Sequence, residues 1–536
     1  MVSENRLNYS LLYPIPDQAF PWYLQGCRSN NLIPAGNIPE PMAGTGSHDA
    51  LKEFSASGDQ FLFSEFAASF SPDSRFSDLL ITLLPELSCL HLGWKKKGQD
   101  YIIYPLPSAK ILSPSEELLR GIEAGLMRSK VRNHLQNLIE NYIGQKTGKV
   151  WNEPVILQRI RAAIMQQKGQ YWKEGQPRKI GYRKGYAVLA YLAYHAPVYL
   201  TQFQYLLVML TRDSLLPSPV RILDVGTGPG VVPLAVIDFA RNVPGFRADI
   251  FALERSDQFL DAYRYLVPRY AEDMESLTIH PPLEADLRDA GSLLLPSSLD
   301  IIVMQNVINE LVSESRERVA AIITTFSRLL SPGGCLLIAE PADLANSTRF
   351  RATVNAALGP ALRIHSPCTC IWGGRCHADT CWSFIEQPPV QPTRLMDALS
   401  GGDEAFRFRN TDIKYSYAVL VNDLRRRHQD VMPKRTPFLP LSALPKHTGK
   451  RVNVAGSVMS GDLGNRKTHV FLFCDGSPGR PAYIILPHHA ITPDNRSLLS
   501  VPYASVMELR KVLVRWNPKY QAFNLLVSRT SRAGPR

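Results

Sequence analysis

Two hydrophobic patterns follow one another along this chain. From Ser113 onward, apolar residues recur every three to four positions through "SPSEELLRGIEAGL", "PVILQRIRAAIM" and "GYAVLAYLAYHAPVYL". This period predicts a helical region over about 112–215, with Ser113 or Ser115 as its N-cap. From "RILDVGTG" to "GCLLIAEPA", short apolar runs alternate with amphipathic segments. Such alternation is typical of a mostly parallel sheet with helices on both faces, an α/β fold over 216–435.

The last part of the chain, 445–536, consists of short strand-like runs, with one short helix predicted near "YASVMELRK". Five strands and one helix in about 85 residues favour a small closed barrel. An OB-like fold is our first choice and an SH3-like barrel is the alternative. Before the barrel, "FRFRNTDIKYSYAVLVND" is interpreted as a hairpin that completes the α/β sheet. Residues 1–111 form an N-terminal region to which the pattern assigns no role.

Composition indicates the compartment and, with it, the role of cysteine. The chain has 536 residues, of which 45% are hydrophobic, enough for several domains with their own cores. The N-terminal sequence lacks the long apolar run of a secretory signal, and no stretch reaches the ~18 apolar residues of a membrane span. We therefore expect a reducing compartment and no membrane. Clustered cysteines are there more often metal-binding or catalytic than disulfide-bonded.

Positive charge is concentrated at one end of the chain. Residues 401–536 hold 22 Lys and Arg against 9 Asp and Glu, whereas the first 400 hold 38 against 39, and the net charge is +12. A solvated basic face is one interpretation. So segregated a charge favours the other, a surface for polyanions such as RNA.

A glycine turn, "LDVGTGPG", follows the first predicted strand and opens a helix. Such a turn lets backbone N–H groups and a helix N-terminus approach a ligand closely. Asp224 ends that strand, Glu254 ends the second, and Asp286 follows the third. An acid after the second strand is placed to accept hydrogen bonds from ribose hydroxyls. Glu254 lies 30 residues after Asp224, a wider gap than the ~20 of nicotinamide folds.

With these acids, the turn resembles the first motif of the class I S-adenosylmethionine methyltransferases, over about 220–345. The resemblance implies that Gly226 and Gly228 border the methionine part of the cofactor, that Glu254 binds the ribose and Asp286 the adenine. Asn306, in "MQNVINEL", would lie beside the reacting centre. The complete predicted cofactor set is Asp224, Gly226, Gly228, Gly230, Glu254, Asp286 and Asn306. A degenerate nucleotide fold that binds nothing is the alternative. No "N-P-P-Y" run or evident nucleophilic cysteine identifies a methyl acceptor.

Four cysteines crowd into "HSPCTCIWGGRCHADTCWSF", which follows the last strand of the alternating region. They are Cys368, Cys370, Cys376 and Cys381. Thiolates in such a loop hold either zinc or an iron–sulfur cluster. The gaps are wider than the paired "C-x-x-C" of zinc ribbons and favour the bulkier iron–sulfur core. Cys474, in "FLFCDG", is the candidate ligand from a distance.

The order of these features resembles the methyltransferase-like proteins of small ribosomal subunit assembly, known from mitochondria and prokaryotes, over roughly 150–480. That resemblance implies a [4Fe-4S] cluster held by three clustered cysteines and one distant cysteine. It transfers directly onto Cys376, Cys381 and Cys474 and leaves either Cys368 or Cys370 as the remaining ligand. The chain departs from the family by lacking its "C-P-H" and "C-P" neighbours.

We therefore expect a monomer that binds S-adenosylmethionine and a [4Fe-4S] cluster and acts on or with small-subunit ribosomal RNA. The enzymatic version methylates that RNA, and the other is a catalytically silent assembly factor. A zinc-stabilised methyltransferase acting on a small molecule or protein is the alternative from another class. The expected location is the cytoplasm, in association with ribosomes, or the mitochondrial matrix in a eukaryote.

Overall fold

The structure is a computed structural model. It describes residues 47–55, 60–71, 79, 83, 87, 92–105, 109–171, 185–359, 362–373, 381–401, 405–423, 425–428, 432 and 436–536. The chain divides into two compact units, one of Met1–Ser108 with Leu294–Ser298 and one of Ala109–Leu293 with Leu299–Arg536. Within the described ranges, no helix combines the length and the apolar character needed to cross a membrane.

The first unit holds a small antiparallel sheet for which the sequence pattern gave no element. Its strands are β1 (Phe61–Leu62), β2 (Leu92–Lys97) and β3 (Asp100–Pro105), with β3 in the centre. Helices α1 (Ser47–Phe54) and α2 (Phe63–Phe70) share a core of aromatic rings with this sheet. The Asp100 carboxylate is buried and accepts hydrogen bonds from the backbone N–H and the hydroxyl of Ser64.

The second unit begins with the predicted helices. They are α3 (Glu116–Leu126), α4 (Asn133–Thr147), α5 (Pro154–Tyr171), α6 (Ala187–Tyr194) and α7 (Ala196–Arg212). Of the two proposed N-caps, Ser115 caps α3, since its hydroxyl accepts from the Leu118 N–H at 3.1 Å. Short strands β4 (Lys110–Ile111) and β5 (Pro217–Ser218) pair at the edge of this region. The helices share one hydrophobic core with the sheet that follows.

The predicted parallel sheet is confirmed. Its strands are β6 (Val220–Val225), β7 (Ala248–Glu254), β8 (Leu277–Ile279), β9 (Leu283–Glu284), β10 (Leu299–Gln305), β11 (Leu330–Pro341), β12 (Arg363–Ser366), β13 (Ile385–Gln387) and β14 (Ile413–Val421). The spatial order is β8-β7-β6-β10-β11-β14-β12, and only β14 and its partners pair antiparallel. The connecting helices are α8 (Val231–Asn242), α9 (Asp257–Tyr270), α10 (Arg316–Ser327) and α11 (Leu344–Ala357), and α12 (Arg394–Leu399) precedes β14.

Two details of this region differ from the sequence interpretation. The predicted hairpin in "FRFRNTDIKYSYAVLVND" is wrong, because the segment contains a 3-10 turn at Ala405–Arg407 and the single strand β14. Strand β14 instead pairs with β11 on one side and with β12 and β13 on the other. Helix α11 was not predicted, and its apolar residues pack beneath this edge of the sheet.

The chain ends in a closed barrel, as predicted. Its strands are β15 (Arg451–Val458), β16 (Thr468–Cys474), β17 (Ala482–Pro487), β18 (Val506–Asn517) and β19 (Ala522–Leu526), with β20 (Arg532–Pro535) beside β18. They run β15-β16-β17-β19-β18 and back to β15, with β17 and β19 parallel. This order is that of OB folds. The helix predicted near "YASVMELRK" is wrong, because these residues enter β18 and the 3-10 turns lie earlier, at His488–Ala490 and Arg496–Leu499.

Candidate functional site

A pocket opens at the carboxyl ends of β6, β7 and β10, around the glycine turn. Gly226, Gly228 and Gly230 have φ angles of +72°, +55° and +92°, which strain any residue with a side chain. A Cβ added at Gly228 would meet nothing within 4 Å, whereas one at Gly226 would lie 2.8 Å from Val307 Cγ2. A Cβ at Gly230 would collide with Val267. Gly228 therefore leaves open space for a ligand, while the other two glycines permit close packing within the protein.

Glu254, at the end of β7, lies in the pocket wall beside this open space and is 8% exposed. Its carboxylate accepts hydrogen bonds from the N–H groups of Gly228 at 3.0 Å, Arg255 at 2.9 Å and Ser256 at 2.8 Å. Burial raises the pKa of Glu254, and these backbone hydrogen bonds act in the opposite direction. The carboxylate is thus fixed in place, and one of its roughly four lone-pair sites remains for a ligand hydroxyl.

Asp286 lies in the same wall, where it caps the 3-10 turn Leu287–Asp289. Its carboxylate accepts from the backbone N–H and the Nε of Arg288, both at 3.0 Å, and Arg255 lies 3.6 Å away. Burial raises the pKa of Asp286, but hydrogen bonds from Arg288 and the charges of Arg288 and Arg255 outweigh it, so the pKa is lowered. The group is an ionised acceptor at neutral pH.

Two members of the predicted cofactor set lie outside the pocket wall. Asp224 is 1% exposed beneath the turn, and Gly230 caps the N-terminus of α8 against Tyr263 and Val267. Burial raises the pKa of Asp224 to about 7, and the nearby Glu254 adds to the rise. Both residues support the glycine turn from the side that faces the protein interior. The rest of the set, including Asn306, lines the pocket.

The sequence analysis missed the aromatic and amide groups of the wall. Tyr191 from α6, Tyr199 from α7 and Phe259 from α9 line the pocket, and the Tyr191 and Phe259 rings meet edge to face at 5.2 Å. Gln305 ends β10, and its Nε2 donates to the Tyr199 carbonyl at 2.9 Å. Gln305 could have been predicted from the sequence, because it directly precedes Asn306. The tyrosines could not, because they belong to the helices before the sheet.

Two amide atoms of this wall have unused hydrogen-bonding capacity. In the described part of the chain, neither the Gln305 Oε1 nor the Asn306 Nδ2 has a hydrogen-bond partner, although both atoms are buried. The turn beneath them is held by Glu340, whose carboxyl oxygens accept from the N–H groups of Val307, Ile308 and Asn309. A buried unpaired acceptor and donor are costly unless a ligand satisfies them. The wall therefore suits a ligand with both donors and acceptors, as S-adenosylmethionine has.

The cysteine loop lies against the barrel. A Cβ added at Gly476 would come within 2.9 Å of the Cys370 Sγ, and the Gly476 N–H donates to the Cys474 Sγ at 3.4 Å. Next to them, the Trp372 Nε1 donates to Asp475 at 2.7 Å. The sulfur atoms of Cys370 and Cys474 therefore both lie against Gly476, although the two cysteines are 104 residues apart in the chain.

Near Cys381, the Ser383 carbonyl accepts a hydrogen bond from the buried guanidinium of Arg351 at 3.4 Å. Cys376 lies outside the described residues. Among the residues that the structure does describe, no group of three or more His, Cys, Asp or Glu side chains is arranged to hold a metal ion. Of the predicted cysteines, Cys370 and Cys474 are the pair that the described contacts bring together, both against Gly476, and thiolates are ligands that zinc and iron–sulfur groups prefer.

The order β8-β7-β6-β10-β11-β14-β12, with β14 antiparallel beside β11, defines the Rossmann-like fold of the class I methyltransferases. The pocket lies where such folds place their ligand, outside the carboxyl ends of the strands at the point where the strand order reverses. The class of fold is therefore established by topology.

Comparison with known proteins adds the following. A family described as "Domain of unknown function (DUF8157) C-terminal domain" matches residues 442–535, which is the barrel. No curated protein sequence matches the chain.

Among solved structures, the CurJ carbon methyltransferase is 13% identical, with 70% of this chain and 90% of that chain covered and a TM-score of 0.30. Magnesium protoporphyrin IX methyltransferase from Synechocystis PCC 6803 is 11% identical, with coverage of 51% and 100% and a TM-score of 0.27. An arsenic(III) S-adenosylmethionine methyltransferase from Chlamydomonas reinhardtii is 14% identical, with a TM-score of 0.24 and 39% of this chain covered. This chain spans 64% of that protein, just under two thirds of its length. TM-scores this low say nothing about activity.

Proposed function

We propose that the pocket binds S-adenosylmethionine. The observation that carries the proposal is the pairing of the open space at Gly228 with the fixed carboxylate of Glu254. Glu254 would accept from the ribose hydroxyls and Asp286 from the adenine amino group, as the resemblance implies. Calorimetric titration of the full-length protein with S-adenosylmethionine tests this directly. A folded protein that releases no heat and shows no thermal shift at millimolar cofactor refutes it.

When bound, S-adenosylmethionine supplies an electrophilic methyl group on a sulfonium sulfur. The side chains of the pocket position the cofactor and enclose it. Tyr191, Tyr199 and Phe259 would exclude water from the pocket, and Gln305 and Asn306 would offer an acceptor and a donor. These groups would orient either the methionine end of the cofactor or an acceptor nucleophile. The enzymatic version of the function transfers the methyl group to RNA, and the silent version uses the bound cofactor to stabilise the fold.

We also propose an iron–sulfur cluster, held by Cys376, Cys381, Cys474 and one of Cys368 and Cys370. Support comes from the loop packed on the barrel, which brings Cys370 to the same glycine as Cys474. Anaerobically purified protein should be brown and should contain about four irons and four sulfides per chain. Stoichiometric zinc without iron or sulfide would instead favour the zinc-stabilised methyltransferase acting on a small molecule or protein.

The third element of the proposal is that the chain acts on or with RNA of the small ribosomal subunit. The exposed basic residues of the OB-like barrel favour a polyanionic partner. Arg425 and Arg427 contribute less to such a surface than their sequence suggests. Arg425 pairs with Asp423 at 2.6 Å, and Arg427 pairs with the buried Asp213 at 3.1 Å.

Sequencing of the RNA that copurifies with the full-length protein, at low and moderate salt, tests this element. Enrichment of small-subunit ribosomal RNA is the expected result, and an RNA-free protein would contradict it. Methylation of that RNA in vitro separates the enzyme from the silent assembly factor. The matched control is a variant of Gly228, whose loss of cofactor binding should abolish methylation and leave RNA capture unchanged.

A further inference from the structure

Histidines and basic residues meet at the end of the barrel where β16 begins and β17 ends. The rings of His469 and His488 stack, with centroids 4.5 Å apart and planes inclined by 24°. The His488 N–H donates to the Lys467 carbonyl at 3.0 Å, and the Arg529 Nε donates to the His489 carbonyl at 3.0 Å. Three segments of the barrel are thereby joined. We call this set the histidine patch: Arg466, Lys467, His469, His488, His489 and Arg529.

The histidine patch is open to solvent and carries positive charge. His469 is half-buried, and the other five members are exposed. Within the described residues, no carboxylate forms an ion pair with Arg466, Lys467 or Arg529. An exposed cluster of cations without acidic partners attracts polyanions. The patch therefore has charge that is left for a ligand.

One carboxylate does contact the patch. The Asp462 carboxylate lies 2.5 Å from the Nδ1 of His469, and the other acid nearby, Asp494, pairs with Arg532 at 3.4 Å. Two protonated imidazoles in a stack repel each other. Asp462 is placed to offset the charge of the His469 ring. A second charge, on His488, requires a further anion, which a ligand can supply.

Phosphates would supply that anion, and the rings would supply a second kind of contact. Histidine is the side chain whose charge ordinarily changes between pH 5 and pH 8. A phosphate near His488 and His489 favours their protonated forms, so binding takes up protons and strengthens as the pH falls. Imidazole rings also stack on unpaired bases. A membrane surface has phosphates but no bases, so RNA fits the patch better.

We propose that the histidine patch binds the phosphates of unpaired RNA with uptake of protons. This inference rests on the proposed RNA partner and adds the place of contact and its dependence on pH. Arg466 and Lys467 supply charge that is constant over the physiological range, whereas His488 and His489 supply charge that appears as the pH falls. A shift toward acid should therefore tighten the complex, and a shift toward base should loosen it.

The test measures the Kd of the full-length protein for a fluorescent oligouridine of about 20 nucleotides, at constant ionic strength. Between about pH 8 and pH 6 the wild-type Kd should fall about three- to tenfold, because one proton taken up changes it by at most about tenfold per pH unit. The double variant His488→Gln and His489→Gln should reduce this change to about twofold or less. His134→Gln, which removes an exposed histidine on α4, is the matched control and should behave like the wild type.

Two further measurements separate charge from proton uptake. Arg466→Gln with Lys467→Gln should raise the Kd at both pH values and leave the ratio of the two unchanged. Calorimetry in two buffers with different heats of ionisation counts the protons, and the wild type should take up more than the double histidine variant. Thermal unfolding verifies that every variant is folded.

A wild-type Kd that is the same at both pH values would overturn the inference, as would an equal pH dependence in the double histidine variant. Binding of the patch to phosphatidylserine vesicles in place of the oligonucleotide would overturn it in favour of a membrane surface. A folded wild type that binds no RNA at either pH would instead refute the RNA partner itself.

Discussion

The conformation of Gly228 makes the cofactor site testable with one methyl group. In Gly228→Ala the added Cβ points into open space, so no protein atom within 4 Å has to move. The φ of +55° strains alanine, and a left-handed residue costs about 1–2 kcal/mol of folding free energy. The variant should therefore fold, with a thermal midpoint a few degrees lower than the wild type.

The substitution should weaken binding of S-adenosylmethionine more than it lowers the stability of the fold. If the cofactor backbone lies against Gly228, the methyl overpacks the interface, at a cost of about 1–3 kcal/mol. At about 1.4 kcal/mol per factor of ten, the Kd for S-adenosylmethionine should rise about 5- to 150-fold. Calorimetry gives the Kd, and thermal unfolding gives the stability of the same preparation.

Two other glycines are the controls. Gly148 ends α4 with a φ of +67° and also has nothing within 4 Å, so Gly148→Ala carries the same backbone strain away from the pocket. It should lower stability like Gly228→Ala and leave the Kd unchanged. Gly226→Ala should destabilise the chain more than either, because its Cβ meets Val307 at 2.8 Å. A wild-type Kd in Gly228→Ala, with wild-type binding otherwise established, would refute the placement of the ligand at this glycine.

Three further predictions concern Glu340, the cysteine junction and the barrel. Burial raises the pKa of Glu340 to about 8, so between about pH 5 and pH 8 the folded state holds a proton that the unfolded chain releases. The free energy of unfolding, measured in urea, should therefore fall as the pH rises through this range. Glu340→Gln should flatten that slope, and an equally steep slope would contradict the assignment. Cys474→Ser should remove iron and sulfide, whereas Cys335→Ala, in the sheet core, should retain both; metal loss in both variants would point to general unfolding. Arg466 and Lys467 are exposed before β16, and reversing their charge should weaken co-sedimentation with small-subunit particles. The slope of the logarithm of the binding constant against that of the salt concentration should fall by about one for each lost phosphate contact. Unchanged co-sedimentation would place this loop outside the interface.

Sequence patterns predicted the sheet well, because each parallel strand is a short apolar run that ends at a turn or an acid. They failed in "YASVMELRK", where Lys511 has a φ of +57° and the β15–β18 register shifts. This bulge interrupts the alternation of buried and exposed residues, so the segment looks helical. The mistaken hairpin has a different cause, because β12 and β13, two of the three partners of β14, are strands that no local pattern identifies.

The residues of the candidate site also fall into those that the sequence could predict and those that it could not. Glu254 and Asp286 follow strands and could be placed from the order of elements alone. Tyr191 and Tyr199 could not, because they reach the pocket through packing of helices against the sheet. Gly226 and Gly228 look equivalent in the sequence, and only three-dimensional contacts reveal that one faces Val307 and the other open space.

The packing of the barrel decides which of its surfaces is accessible to the proposed RNA partner. OB folds commonly bind oligonucleotides on the face of their second and third strands, here β16 and β17. On that face Leu472, Tyr483 and Cys474 form a small apolar cluster with Tyr503, whose ring lies 6.0 Å from Tyr417 of the α/β sheet. The face is thus covered within the same unit.

The basic and aromatic groups that remain exposed lie elsewhere on the barrel. Trp516 is 37% and Tyr520 66% exposed where β18 turns into β19, and the Lys519 ammonium lies 5.2 Å from the Tyr520 ring. Rings exposed beside basic groups suit the stacking of unpaired bases next to phosphates. The same barrel would then serve two separate purposes, since β16 and β17 fix the cysteine loop while the β18–β19 turn remains open to RNA. Loss of the proposed metal centre should consequently lower the stability of the second unit before it weakens binding to the proposed RNA partner.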